Sequence, residues 1–183
     1  MGPILQRALR AARFDKRVFD EVRWDGNATA DAVVLVAIVS LTVLVGLFVG
    51  QGFRAASFVT AALNVVISNV AGWLFLAVAT WFATSRLFKP QGDYWRRFEQ
   101  TQAIMRVHGI AYLPMILGAA LEFSPIAAAV GSLWYFAAAG VGTAQVMELK
   151  PREGIIGVIL GAAILFIIQS VLRFPFAFFS AFG

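Results

Sequence analysis

Cysteine is absent from the 183 residues, and histidine occurs once, as His108. The first absence excludes disulfides, thiolate metal sites and cysteine nucleophiles. The second excludes metal sites built on several histidines, such as the HExxH helix. Charge is also scarce. Asp, Glu, Lys and Arg make up 14% of the residues, against about 25% in an ordinary soluble domain. With 60% hydrophobic residues, a soluble fold would lack the polar material to cover itself, and lipid is the simpler solvent. The apolar runs are continuous and do not alternate, which excludes a transmembrane β-barrel. No cleavable signal peptide is expected, because the first apolar segment begins near Asp31, after mostly polar sequence.

What is present is a set of long apolar runs, which predicts an all-α, polytopic membrane helix bundle. Five segments read as spans: DAVVLVAIVSLTVLVGLFVG (31–50), FVTAALNVVISNVAGWLFLAVATWFAT (58–84), AIMRVHGIAYLPMILGAAL (103–121), PIAAAVGSLWYFAAAGVGTAQVM (125–147) and GIIGVILGAAILFIIQSVLR (154–173). Each has roughly the 20 residues that about 30 Å of hydrocarbon requires. The third is the weakest, with Arg106, His108 and Pro114 in it.

Basic residues set the expected orientation. With the N-terminus inside, thirteen Lys and Arg fall on the cytoplasmic side, and only Arg54 and Arg173 fall outside. That bias predicts N-terminus in and C-terminus out. The net charge of +5 therefore points to anionic lipid and not to nucleic acid.

Three regions are expected. Residues 1–30 form a cytoplasmic amphipathic helix and turn, 31–173 the five-helix membrane domain, and 174–183 an aromatic interfacial tail. In the head, Ile4, Leu5, Ala8, Ala12, Val18, Phe19 and Val22 share a broad face, interrupted by Asp15. Arg7, Arg10, Arg13 and Arg17 lie largely off that face and are candidate lipid-headgroup contacts, together with Arg96 and Arg97 of the second loop. The same helix can instead pack on the cytoplasmic ends of the spans. Asp25 and Gly26 suit a turn, with Asn27 or Thr29 capping the first span. Tyr94 and Trp95 suit an interfacial anchor.

Polar residues inside spans are costly and informative. Asn64, Ser68, Asn69, His108, Gln145 and Gln169 form the candidate intramembrane set. They read as interhelical hydrogen-bond glue, with a solute pathway as the rival. Gly46–Gly50, Ser68–Gly72 and Gly157–Gly161 are small-residue pairs suited to close helix approach. His108 reads as structural or interfacial, against a proton-responsive gate or a catalytic base. A continuous helix would hold Glu122 roughly 21 Å from it, so the two cannot form a catalytic pair. No catalytic, cofactor or metal residue is assigned.

The sequence resembles the bacterial branch of the Yip1-domain family of five-span membrane proteins. RALRAARFDKRVFDEVRWDGNATADAVVLV, DYWRRFEQTQAIMRVHGIAYLP and AQVMELKPREGIIGVIL carry the resemblance. It implies the fold and topology and no agreed active site. The expected function is non-enzymatic: membrane organisation, lipid interaction or partner scaffolding, as a homo-oligomer or with a membrane-protein partner. The alternative is a small-solute or ion transporter or channel.

Overall fold

The computed structural model describes residues 2–51, 55–88, 97–120 and 124–182, with the side chains of 47, 50, 51, 55–61, 64, 97, 98, 120 and 172–182 outside the described set. The elements are α1 (Pro3–Ala12), α2 (Lys16–Trp24), α3 (Ala28–Gln51), α4 (Ala55–Leu87), α5 (Arg97–Ile110), a 3-10 segment (Leu113–Ala120), α6 (Pro125–Val146) and α7 (Pro151–Phe182). The described residues contain no strand. Several sequence expectations lie outside the described residues: Arg54, Lys89, the Tyr94–Trp95 anchor, Arg96 and Glu122, and the side chains of Asn64, Arg97 and Arg173.

Among the described residues, four helices are long and apolar enough to cross a membrane, within Ala28–Gly46, Val65–Leu87, Pro125–Val146 and Pro151–Val171. The expected third span is not one helix. α5 stops at Ile110, and the chain continues through a turn into the 3-10 segment. Pro114 is the reason: it lacks an N–H, and its ring would clash with the carbonyl four residues back, that of Ile110. The Tyr112 N–H turns instead to the Gly109 carbonyl, and the Met115 N–H to that of Tyr112.

The head, read from sequence as one helix, is two. Phe14 adopts a left-handed φ of 61°, and the Asp15 N–H bonds the Arg10 carbonyl at 3.0 Å. That bond closes the end of α1. The Asp15 carboxylate then accepts the Arg17 N–H at 3.0 Å and caps α2. Asp15 interrupts the apolar face because it starts a new helix. The next turn follows the same logic: Asp25 accepts the Asn27 N–H at 2.9 Å, and α3 begins one residue later.

Helix lengths differ in a way that shapes the bundle. α4 has 33 residues and α7 has 32, so each is about 50 Å long. They pack together through Gly157 against Thr84 and Gly161 against Thr80. Gly72, by contrast, faces open space, and Ser68 is exposed, so that expected small-residue pair makes no close approach. α3 begins well short of the lower end of α4. Its Ala32 sits against Gly109 and Trp73, and the Trp73 indole N–H donates to the Met105 carbonyl at 3.0 Å. Leu87, at the lower end of α4, is fourteen residues further on than Trp73.

α2 fills the slot below α3. Val18, Phe19 and Val22 are fully buried among Ala77 of α4, Ile104 and Val107 of α5, and Val146 and Met147 at the end of α6. A second core lies above, joining Leu35, Val36 and Val39 of α3 to Trp73, Tyr112 and Tyr135. α1 links the two cores, with Ala8 in the upper and Ala11 in the lower. The Trp134 indole N–H pins the end of α1 by donating to the Ala12 carbonyl at 2.7 Å.

Candidate functional site

His108 lies on α5 near its end and is fully buried. Its Nδ1 is 2.9 Å from the Tyr135 hydroxyl, and its Nε2 is 3.4 Å from the Thr143 hydroxyl, both on α6. A neutral imidazole has one donor and one acceptor nitrogen, and a hydroxyl can serve either. The ring is therefore satisfied uncharged in either tautomer. Among the described residues no carboxylate bonds it. This is the geometry of a group that locks α5 to α6.

The polar contacts continue upward. Tyr135 meets Tyr112 edge-on, with ring centroids 5.3 Å apart. The Tyr112 hydroxyl donates to the Asn69 side-chain oxygen at 3.0 Å. The Asn69 amide nitrogen donates back to the Val65 carbonyl of its own helix at 2.8 Å. Residues from three helices and the turn after α5 thus form a buried polar file.

The other expected polar residues sit elsewhere. Ser68 is one position, or about 100°, around α4 from Asn69 and is exposed. Gln169 is exposed on α7. Gln145 reaches the lower surface, where its amide donates to both Asp20 carboxylate oxygens at 3.0 and 3.1 Å. Of the five whose side chains are described, Asn69 and His108 belong to the file. Tyr112, Tyr135 and Thr143 complete it, and sequence reasoning missed them. The only local hint is that Tyr112 falls four residues after His108. Tyr135 and Thr143 carry no sequence signal, since aromatics and threonines recur throughout the spans.

The basic residues divide in the same way. Arg7 bridges Asp25 at 2.6 Å and Asp31 at 2.8 Å, tying α1 to the first turn of α3. Arg10 bonds Asp15 at 2.8 Å and both oxygens of Glu21 at 2.8 and 2.9 Å. Bonds from Glu21 and Asp15 raise the Arg10 pKa above the ordinary guanidinium value. The Arg10 bond lowers the Asp15 pKa. The Asp25 carboxyl is lowered first by the Asn27 N–H and then by Arg7. Arg106 donates to the Thr29 hydroxyl and the Arg23 carbonyl, each at 2.9 Å, and Arg23 approaches Glu148 at 3.3 Å. The turn after α6 is therefore tied to the head. Arg13 and Arg17 are exposed, and among the described residues neither side chain forms an ion pair.

Above the file, α3, α4, the 3-10 segment and α6 line a half-open cavity of about 410 Å³. Asn69 and Tyr112 line it together with Ser40, Ser132, Val43 and Met115. Tyr135 and His108, the next members of the file, do not line it.

No curated protein and no solved structure matches the chain. A family model described as the Yip1 domain matches residues 10–172, from the end of α1 through most of α7. With that span matched and several apolar helices built to cross a bilayer, this multi-pass membrane protein belongs to the Yip1-domain family.

Proposed function

We propose that this protein is a non-enzymatic component of a bacterial inner membrane that engages anionic lipid through its cytoplasmic head, organising the membrane or holding a membrane partner there. The observation that carries this reading is the division of the head's charges. Arg7 and Arg10 are held by carboxylates of the chain itself. Arg13, Lys16 and Arg17 are exposed around the α1–α2 turn. The apolar face of the head is buried in the bundle, so what remains outside is a basic edge beside the exposed Phe14. Near an anionic surface each such residue contributes about 1 kcal/mol. Arg96 and the Arg97 side chain, which lie outside the described residues, remain further candidate headgroup contacts in this reading.

The proposed topology has five crossings, with the N-terminus in and the C-terminus out. α5 and the 3-10 segment together make the third. Fourteen residues of α-helix and eight of 3-10 helix reach about 37 Å, sufficient for a bilayer core. The broken backbone is enclosed by α3 and α6, the circumstance in which irregular backbone is tolerated at membrane depth. The thirteen-to-two basic asymmetry supports the orientation. A reporter active only in the cytoplasm, fused to Gly183, is expected to be silent, and a strong signal overturns the topology.

The lipid reading is tested on the full-length protein in nanodiscs. Hydrogen exchange across residues 12–18 is expected to slow when phosphatidylglycerol is added to phosphatidylcholine. The triple variant Arg13→Gln, Lys16→Gln, Arg17→Gln is expected to lose that response. Equal protection in both lipids for both proteins overturns it.

A further inference from the structure

We propose that the cavity between α3, α4, the 3-10 segment and α6 binds a neutral lipid carrying a free hydroxyl, of the monoacylglycerol or long-chain alcohol class. At about 410 Å³ it falls within the range of small-molecule sites, roughly 300–1,000 Å³. None of its lining side chains is charged. An anionic headgroup therefore finds no counter-charge there, and neither does a cation.

Hydrogen-bond bookkeeping defines the occupant further. Ser40 gives its hydroxyl proton to the Val36 carbonyl at 2.6 Å, and Ser132 gives its own to Ala128 at 3.0 Å. Tyr112 gives its proton to Asn69. One Asn69 N–H goes to Val65. What these bonds leave unused on the lining residues is the lone pairs of three hydroxyls and one amide N–H. A ligand hydroxyl both donates and accepts, and it matches that set. An acceptor-only phosphate or carboxylate does not. Val39, Val43 and Met115 form apolar wall that a cluster of waters would leave facing water, whereas an acyl chain covers it. The lower end is closed where Tyr112 packs on Tyr135, itself held by His108. A half-open cavity with Asn69 and Tyr112 in its lining can hold a molecule by its polar end while the chain leaves toward lipid. This inference is independent of the lipid-headgroup reading, which rests on the opposite end of the bundle.

The test uses the full-length protein in phosphatidylcholine nanodiscs, with a diazirine-bearing monooleoylglycerol as probe. Saturable labelling is expected on the peptides containing residues 39–43 and 112–118. Unlabelled monooleoylglycerol is expected to compete, and oleate and oleoyl lysophosphatidic acid are not. Asn69→Leu, which removes one good hydrogen bond, is expected to weaken competition by about tenfold. Ala128→Phe, filling the cavity, is expected to abolish it, while Ser68→Ala at the exposed neighbour changes nothing. Melting temperatures check that each variant is folded; if Ala128→Phe is not, Asn69→Leu decides. The proposal is overturned if labelling is unsaturable and spread over lipid-facing positions such as Phe75 and Phe166. It is equally overturned if oleate competes as well as the neutral lipid, or if folded Asn69→Leu binds like the parent.

Discussion

The lower and upper halves of this bundle solve the same problem differently. Both must bury polar groups in an apolar fold. In the lower half α2 occupies the volume beneath α3, and its three apolar residues leave a closed core. The Phe19 ring and the Val107 side chain lie so close to Gly142 that a Cβ there would force them to shift. In the upper half no helix plays that part. Pro114 breaks the third segment into a narrower 3-10 turn, and a half-open cavity with Asn69 and Tyr112 in its lining is left. The head is therefore a structural part of the bundle. It substitutes for a length of helix that α3 lacks.

Phe19 is the residue on which the lower core depends most. Phe19→Ala is expected to cost about 3–5 kcal/mol, the usual penalty for truncating a buried aromatic. It should also expose the head to protease, read as accelerated cleavage near Arg13 with the upper half still protected. Retention of full stability would mean that the head is not part of the lower core.

Next in size is Gly161→Ala. The new methyl would meet Thr80, including its backbone, and overpacking of this kind costs about 1–3 kcal/mol. Gly72→Ala, on the open side of α4, should fall within about 0.5 kcal/mol of the parent. Thermal melts in one detergent compare the two, and equal effects would contradict the α4–α7 contact.

His108 and Asn69 test the file itself. His108→Leu strands the Tyr135 hydroxyl in a dry interior and should cost about 1–3 kcal/mol. Asn69→Leu, at the cavity edge, should cost less, about 0.6–2 kcal/mol. Reversal of that order would mean that the Asn69–Tyr112 bond, not the His108–Tyr135 bond, carries the file. Flux in sealed vesicles separates this from transport: loss of a measurable wild-type flux in Asn69→Leu without loss of stability would favour a solute path.

The smallest expected effect is on the ion pairs of the head. Arg7→Gln should cost less than about 1 kcal/mol, since the pairs are partly exposed. The folded state lowers the Asp15 and Asp25 carboxyls. Their stabilising contribution is thus present above the unfolded value of about 3.9 and is lost as pH falls through the lower folded values. Hydrogen exchange in α1 and α2 should rise below about pH 4, before the α4–α7 contact loosens. Simultaneous loss of both would mean that the head does not loosen ahead of the helix bundle.

Much of the architecture is legible in the sequence. Hydropathy reads each segment against lipid, a property of that segment alone, and the four longest apolar helices follow from it. Pro114 marked the weak segment because the missing N–H is a local fact. Asp15 was visible as a fault in the apolar face, though its role as the cap of a second helix needed the left-handed Phe14 beside it. What tertiary structure alone decided is which polar groups meet. His108 finds Tyr135 and Thr143 at sequence separations of 27 and 35, and Asn69 finds Tyr112 at 43. No periodicity encodes such distances. They depend on where α3 begins relative to α4, on the helix that fills the space below it, and on the cavity that remains above.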